Sequence, residues 1–203
     1  MQVSLIRNST KTPHFVSIIA IRKKCGTTTQ GILAIGQYRF PCALGKNGFT
    51  ARKHEGDGAT PLAIMPVIGG FEKNCLRALP HHLLTLHRVR CADGWCDEVW
   101  DANYNRPVRL PYNNSAEKLY RDDELYDILL ISDWNIRCRI QNRGSAIFFH
   151  LARPQYTSTE GCIAVSRCTM ERILPYISHK TRIITLGSMT RTRPIGFISR
   201  KKN

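Results

Sequence analysis

The residue types best suited to chemistry lie together between Gly144 and Val165, in a stretch reading GSAIFFHLARPQYTSTEGCIAV. An apolar run from Ser145 to Phe149 has the β-branched and aromatic character of a buried strand and ends on His150. A loop follows, with Pro154 and the polar cluster Thr157, Ser158, Thr159 and Glu160, before Gly161 and Cys162 lead into the apolar segment Ile163 to Val165. A free thiol, with a pKa of about 8.5, is mostly protonated at neutral pH and needs a neighbouring base or cation to act as a nucleophile. A histidine brought across such a loop supplies that base. Gly161 lets the backbone turn sharply and leaves room at the sulfur. Backbone N–H groups around Gly161 and Cys162 are available as oxyanion donors. The same residues also fit a buried cysteine and a satisfied strand-end histidine, since eight cysteines and seven histidines offer many chance pairings.

The elements that must position this pair are mostly strands. His14 to Ile21 and Ile32 to Ala43 read as two strands around Cys25-Gly26 and a threonine-rich turn, with Val16, Ile18 and Ala20 alternating in the first. A third strand is expected over Phe49 to His54, before the turn-rich Glu55-Gly56-Asp57-Gly58-Ala59-Thr60-Pro61. Ile64 to Ile68 is apolar, and Phe71 to Leu84 suggests a short helix broken by Pro80. Leu83 to Arg90 alternates imperfectly, as a strand would. The polar and aromatic stretch from Asp93 to Pro107, with Trp95, Trp100 and Tyr104, reads as a long loop lining a site. Ser115 to Leu125 reads as a helix capped by Ser115, Tyr126 to Ile131 as a strand, and Asp133 to Arg143 as a polar connection. Met170, Ile173, Leu174 and Ile177 recur at helical spacing behind Ser166, a good N-cap, and Thr181 to Leu186 is a last strand. Seven to nine short strands and two or three packed helices place the chain in a mainly β class.

Composition bounds the rest. At 203 residues the chain is most economically one domain, large enough to do without a disulfide framework. No apolar run reaches the ~18 residues of a membrane span. Thirty Lys and Arg against 15 Asp and Glu leave a formal charge of +15, which suits an anionic partner. Much of that surplus sits at the ends: Arg7, Lys11, Arg22, Lys23 and Lys24 in one, and Arg191, Arg193, Arg200, Lys201 and Lys202 in the other, with no acid among either group. The eight cysteines show no C-x-x-C pair and no zinc-ligand spacing, so no metal site is expected, and most read as small buried hydrophobes in a reducing compartment. The apolar run from Phe15 to Ile21 is followed by Arg22-Lys23-Lys24 instead of a cleavage site, so no export signal is expected.

Several motifs, in this order, resemble the L,D-transpeptidase catalytic domain family (YkuD-like), and in particular its short bacterial subgroup. His150 followed by Thr159-x-Gly161-Cys162-Ile163 is similar to that family's histidine and its Ser/Thr-x-Gly-Cys-aliphatic element. Gly56-Asp57-Gly58-x-Thr60-Pro61 resembles an upstream G-x-G-x-T-P element. Trp95-Cys96-Asp97, Tyr104-Asn105-Arg106-Pro107-Val108, Ser145-Ala146-Ile147-Phe148 and Arg153-Pro154 look like the subgroup's. The resemblance implies a β-sandwich or barrel-like catalytic domain over residues 14–187, with a basic flank at 1–13 and a basic tail at 188–203. It further implies a transferase of peptidoglycan metabolism, with Cys162 as nucleophile and His150 as base. Thr159, Glu160 and Gly161 would shape the site and its oxyanion donors, Arg153 and Trp95 would contact substrate, and no cofactor is called for. Glu160 stands where many members have a second histidine, Ala164 where many have an arginine, and Ala63 where a glycine is usual.

Partners implied are peptidoglycan or its precursors, with no obligatory nucleic acid. Water taking the same thioester would make the protein an L,D-carboxypeptidase or related cysteine amidase. A non-catalytic basic domain binding nucleic acid or wall polymer is the alternative from another class. The resemblance implies a cell-envelope or periplasmic location, and the lack of an export signal leaves a cytoplasmic one open.

Overall fold

In the first strand the buried positions are Ile19 and Ile21, while Ile18 stays half exposed. This alternation, repeated along the chain, builds the architecture seen in the computed structural model, which describes residues 15–73 and 78–187. The basic flank 1–13, the basic tail 188–203 and Cys75 lie outside the described residues.

The strands, in chain order, are β1 (Ile18–Lys23), β2 (Gln30–Ile35), β3 (Tyr38–Ala43), β4 (Phe49–Thr50), β5 (Thr60–Pro61), β6 (Ile64–Glu72) and β7 (Leu86–Arg88). They continue with β8 (Asp93–Cys96), β9 (Arg106–Arg109), β10 (Ala116–Lys118), β11 (Ile128–Ser132), β12 (Phe148–Leu151), β13 (Ile163–Val165) and β14 (Arg182–Leu186). One α-helix, α1 (Arg167–Ile173), precedes β14, and short 3-10 turns occupy Pro154–Tyr156 and Leu174–Tyr176. The class is mainly β, as expected, but divided into more and shorter strands than the seven to nine foreseen.

Eight strands close into a barrel in the order β11-β12-β13-β3-β2-β1-β14-β6, with β6 pairing back onto β11. The pairs β1–β14 and β12–β13 are parallel. Closure leaves no free edge among these strands except where β7 adds beside β6. The inward residues form one core, including Ile19, Leu33, Met65, Ile128, Leu130, Phe149 and Val165. Helix α1 closes onto that core through Met170 and Ile173, and Ser166 caps it by accepting from the Thr169 N–H at 3.2 Å.

Outside the barrel, β8, β9 and β10 form a three-stranded antiparallel sheet. Trp95, Leu119, Leu129, Phe148 and Cys162 make a second buried cluster between it and the barrel. This covering explains why β12 is buried at all four positions instead of alternately. Phe148, 1% exposed and met edge-on by Trp95 at 5.2 Å, contributes roughly 1.5–3 kcal/mol by its burial.

Four local expectations are corrected. Ile32 to Ala43 is a hairpin, divided at Gly36, whose φ of +53° suits a two-residue turn. Ser115 to Leu125 is not a helix: Ala116–Lys118 pairs with β8, placing Glu117 opposite Trp95, and turns follow. The described residues of 71–84 contain no helix, since β6 runs on to Glu72. The stretch from Asp93 to Pro107 begins in β8 and ends in β9, which pair as a hairpin, so the expected loop is confined to residues 97–105. The cysteines also differ from expectation, because Cys25, Cys91, Cys138 and Cys168 are exposed and only Cys42, Cys96 and Cys162 are buried among those described.

Candidate active site

Strands β12 and β13 run side by side, with Phe149 opposite Ile163 and His150 opposite Ala164. Side chains alternate along a strand, so Phe149, Leu151, Ile163 and Val165 point into the barrel. Phe148 and Cys162 turn to the other face, in the cluster beneath the small sheet, and His150 shares the face of Phe148. Nucleophile and base candidates thus emerge on one side of one parallel strand pair. Both line a cavity of about 360 Å³.

The thiol of Cys162 is 8% exposed as a residue and held by backbone. It donates to the Ala146 carbonyl at 3.1 Å and accepts from the Phe148 N–H at 3.3 Å. Ala146 sits in the left-handed region, at a φ of +50°, uncommon for a residue with a Cβ. Burial pushes the Cys162 thiol up to about 12; the Glu117 charge adds to this, against the Phe148 N–H and the Lys53 ammonium. The resting group is therefore a neutral thiol.

His150 is buried too. Its Nδ1 lies 2.8 Å from the Leu151 carbonyl. A carbonyl only accepts, so Nδ1 carries the hydrogen and Nε2 is the basic nitrogen. Burial pulls the ring down to about 4, opposed by the Leu151 bond and reinforced by the charges of Arg121 and Arg153. Tyr126 meets the ring edge-on at 5.0 Å and donates its phenol to Glu117.

The other sequence-derived candidates divide. Thr159 and Gly161 brace the turn into Cys162: Gly161 N–H donates to Thr159 Oγ1 at 3.2 Å, and that hydroxyl donates to the Cys162 carbonyl at 2.6 Å. Gly161 has a φ of +135°, and a Cβ there would stand 3.0 Å from the Ala59 carbonyl, so only glycine fits without strain. Glu160 is largely exposed and paired with Lys46 at 2.7 Å, not with His150. Arg153 lines the cavity near Asp123 at 3.9 Å. Trp95 does not line it: the indole is buried in the second cluster and donates to Asn105 Oδ1 at 2.9 Å. Its place is to support Phe148, from beneath the site.

Sequence reasoning missed Lys53, Glu117, Arg121 and Tyr126, all lining the cavity. Lys53 is only 3% exposed, and its ammonium is bonded to Asp57 and to the His54 carbonyl. Asp57 also accepts from the N–H groups of His54 and Ala59, each at 2.9 Å, fixing the turn between Gly56 and Gly58. Burial alone would raise the Asp57 carboxyl; these three donors outweigh it and hold it below the usual carboxylate range. The available signal was Lys53 four residues ahead of an acid set between two glycines. Among the described residues no group of His, Cys, Asp and Glu could hold a metal ion.

A buried thiol, a neutral imidazole with a free Nε2 and a confined cavity are the parts that acyl transfer through a cysteine requires. Comparison with curated proteins and with solved structures gives no match. Residues 28–185 match the model of the L,D-transpeptidase catalytic domain, YkuD, a span that runs from just before β2 into β14 and takes in every barrel strand but β1. The chain belongs to the L,D-transpeptidase catalytic domain (YkuD) family.

Proposed function

We propose that this chain is a cysteine-dependent L,D-transpeptidase, a transferase that acts on peptidoglycan stem peptides through a thioester on Cys162. The observation that carries the reading is the convergence of Cys162 and His150 on one cavity, with Nδ1 of His150 committed to a backbone carbonyl and Nε2 left basic. The family supports a peptidoglycan substrate.

Cys162 Sγ attacks the carbonyl carbon of the residue preceding the terminal D-alanine as its proton passes to His150 Nε2. The tetrahedral oxyanion collapses, the C–N bond breaks, and the imidazolium returns the proton to the departing amine. A ring whose pKa is drawn down to about 4 holds that proton poorly and so gives it up readily. In the second half His150 takes a proton from the amine of a neighbouring stem, which attacks the thioester and releases the thiol. Since thiol and ring are both neutral at rest, the ion pair forms only as the substrate carbonyl accepts the sulfur.

The cell envelope is the location this reading calls for, and a basic surface suits an anionic wall. No helix among the described residues is long and apolar enough to cross a membrane. The test is incubation of the full chain with a disaccharide-tetrapeptide and an acceptor stem, with products separated by mass. D-Alanine release with formation of a cross-linked dimer is expected. Release without dimer would assign hydrolysis instead, and no release from folded, reduced protein would contradict both.

A further inference from the structure

Every acid in the chain lies between Glu55 and Glu171. Residues 1–54 hold nine Lys and Arg, residues 172–203 hold eight, and neither segment has an Asp or a Glu. The fold turns this division of the sequence into a division of the barrel. Strands β3, β2, β1 and β14 all come from the acid-free segments and stand side by side. Around the closed barrel β1 is four strands from β12 in either direction, so this wall lies opposite the side that carries the Cys162 cavity.

The outer face of the wall is apolar in its middle. Along β1 the outward positions are Ile18, Ala20 and Arg22, because Ile19 and Ile21 point into the core. Register carries the pattern sideways, with Ala20 beside Ile184 and Ile184 beside Ile64. Ile18 is 48% exposed and Ile64 63%. A solvated sheet face ordinarily carries polar residues at such positions, and a contiguous apolar patch on the surface marks a contact.

Cations border the patch. Arg182 lies beside Ile18 at one end, and Arg22 beside Leu186 at the other. Beyond Arg22, Lys23 and Lys24 share with it a notch of about 460 Å³ that Leu186 and Gly187 also line, with no acid in its walls. Among the described residues none of these four cations forms an ion pair. The sequence that follows Gly187, at the same end, adds Arg191, Arg193, Arg200, Lys201 and Lys202.

We propose that this outer face is a docking surface for an anionic lipid bilayer. The isoleucines enter the boundary between headgroups and acyl chains, and Arg22, Lys23, Lys24 and Arg182 meet lipid phosphates around them. A soluble polyanion such as a nucleic acid is met by cations interleaved with groups that stack or hydrogen-bond, and aliphatic side chains at the centre offer it neither. Docked in this way, the barrel keeps the Cys162 cavity on the side away from the lipid. The docking is independent of the chemistry at Cys162.

The full chain is sedimented with vesicles of phosphatidylcholine alone and of phosphatidylcholine mixed with phosphatidylglycerol. Partition onto the anionic vesicles is expected to be at least about tenfold stronger. The pair Arg22→Glu and Lys24→Glu should weaken it by about tenfold or more. The pair Ile18→Thr and Ile64→Thr, which keeps β-branched side chains at exposed strand positions, should weaken it by about tenfold as well. Thermal unfolding of each variant separates a lost surface from a lost fold, and Ile64→Thr alone carries the test where a pair does not fold. Equal partition onto the two vesicles, no partition, or partition unmoved by either pair would overturn the proposal. Loss with the charge pair but not with the isoleucine pair would overturn it too, and would assign the face to a soluble polyanion.

Discussion

His150 is held by its own strand: its Nδ1 donates to the carbonyl of Leu151, the next residue, at 2.8 Å. No carboxylate is needed to set the tautomer, and Glu160, two residues before Cys162, turns instead to Lys46. The ring is thereby fixed as a neutral base in a buried place.

The acid limb of activity should lie low for that reason. A base drawn from 6.5 to about 4 stays unprotonated through mildly acidic pH, so kcat/KM should hold through 6.5 and fall only towards about 4. A pH–rate profile measures this, and a midpoint near 6.5 would contradict it.

Stability should follow the same groups with opposite slopes. Between 6.5 and about 4 the unfolded ring binds a proton that the folded ring refuses, so stability is full above that window and declines as pH falls through it, by on the order of 3 kcal/mol. At the alkaline end the folded thiol of Cys162 keeps its proton up to about 12 while an unfolded thiol ionises near 9.0, so stability declines as pH rises between them. Urea unfolding across pH should show the acid decline flattened in His150→Gln and the alkaline one flattened in Cys162→Ala.

The Lys53–Asp57 pair should respond unequally to loss of either partner. Asp57→Ala strands an ammonium in a residue 3% exposed, costing roughly 3–5 kcal/mol. Lys53→Met leaves Asp57 with two backbone donors and partial access to water, so about 1–3 kcal/mol is expected. Equal losses in chemical denaturation would show that the buried ammonium is not the dominant cost.

Gly161→Ala tests the turn before Cys162. A Cβ at 3.0 Å from the Ala59 carbonyl and a φ of +135° force the backbone to shift, and Cys162 moves with it. A stability loss of roughly 1–3 kcal/mol is expected, with a larger proportional loss of kcat than that destabilisation explains. Unchanged kcat would mean that the turn does not set the position of the sulfur.

The strands that carry His150 and follow Cys162 were legible because each is a short apolar run whose direction is set locally. Helix α1 was legible for the same reason, from Ser166 and the spacing of Met170 and Ile173. The opposite wall was not. Glu117 belongs to a run of good helix formers, and only pairing with Trp95 across β8–β10 makes it a strand residue facing the cavity. Lys53 looks like a surface lysine until the fold buries it against Asp57. Trp95 has the aromatic character of a ligand contact, yet its ring packs perpendicular to Phe148 and its N–H goes to Asn105. Partners distant in sequence decided each of these.

Acylation of one sulfur is the step on which the proposed function turns. Intact-protein mass should be measured after mixing the reduced full chain with a disaccharide-tetrapeptide, beside Cys162→Ala. A gain equal to the donor less D-alanine is expected in the wild type and none in the variant. An unchanged mass for folded wild-type protein with a free thiol, or the same gain in Cys162→Ala, would contradict it.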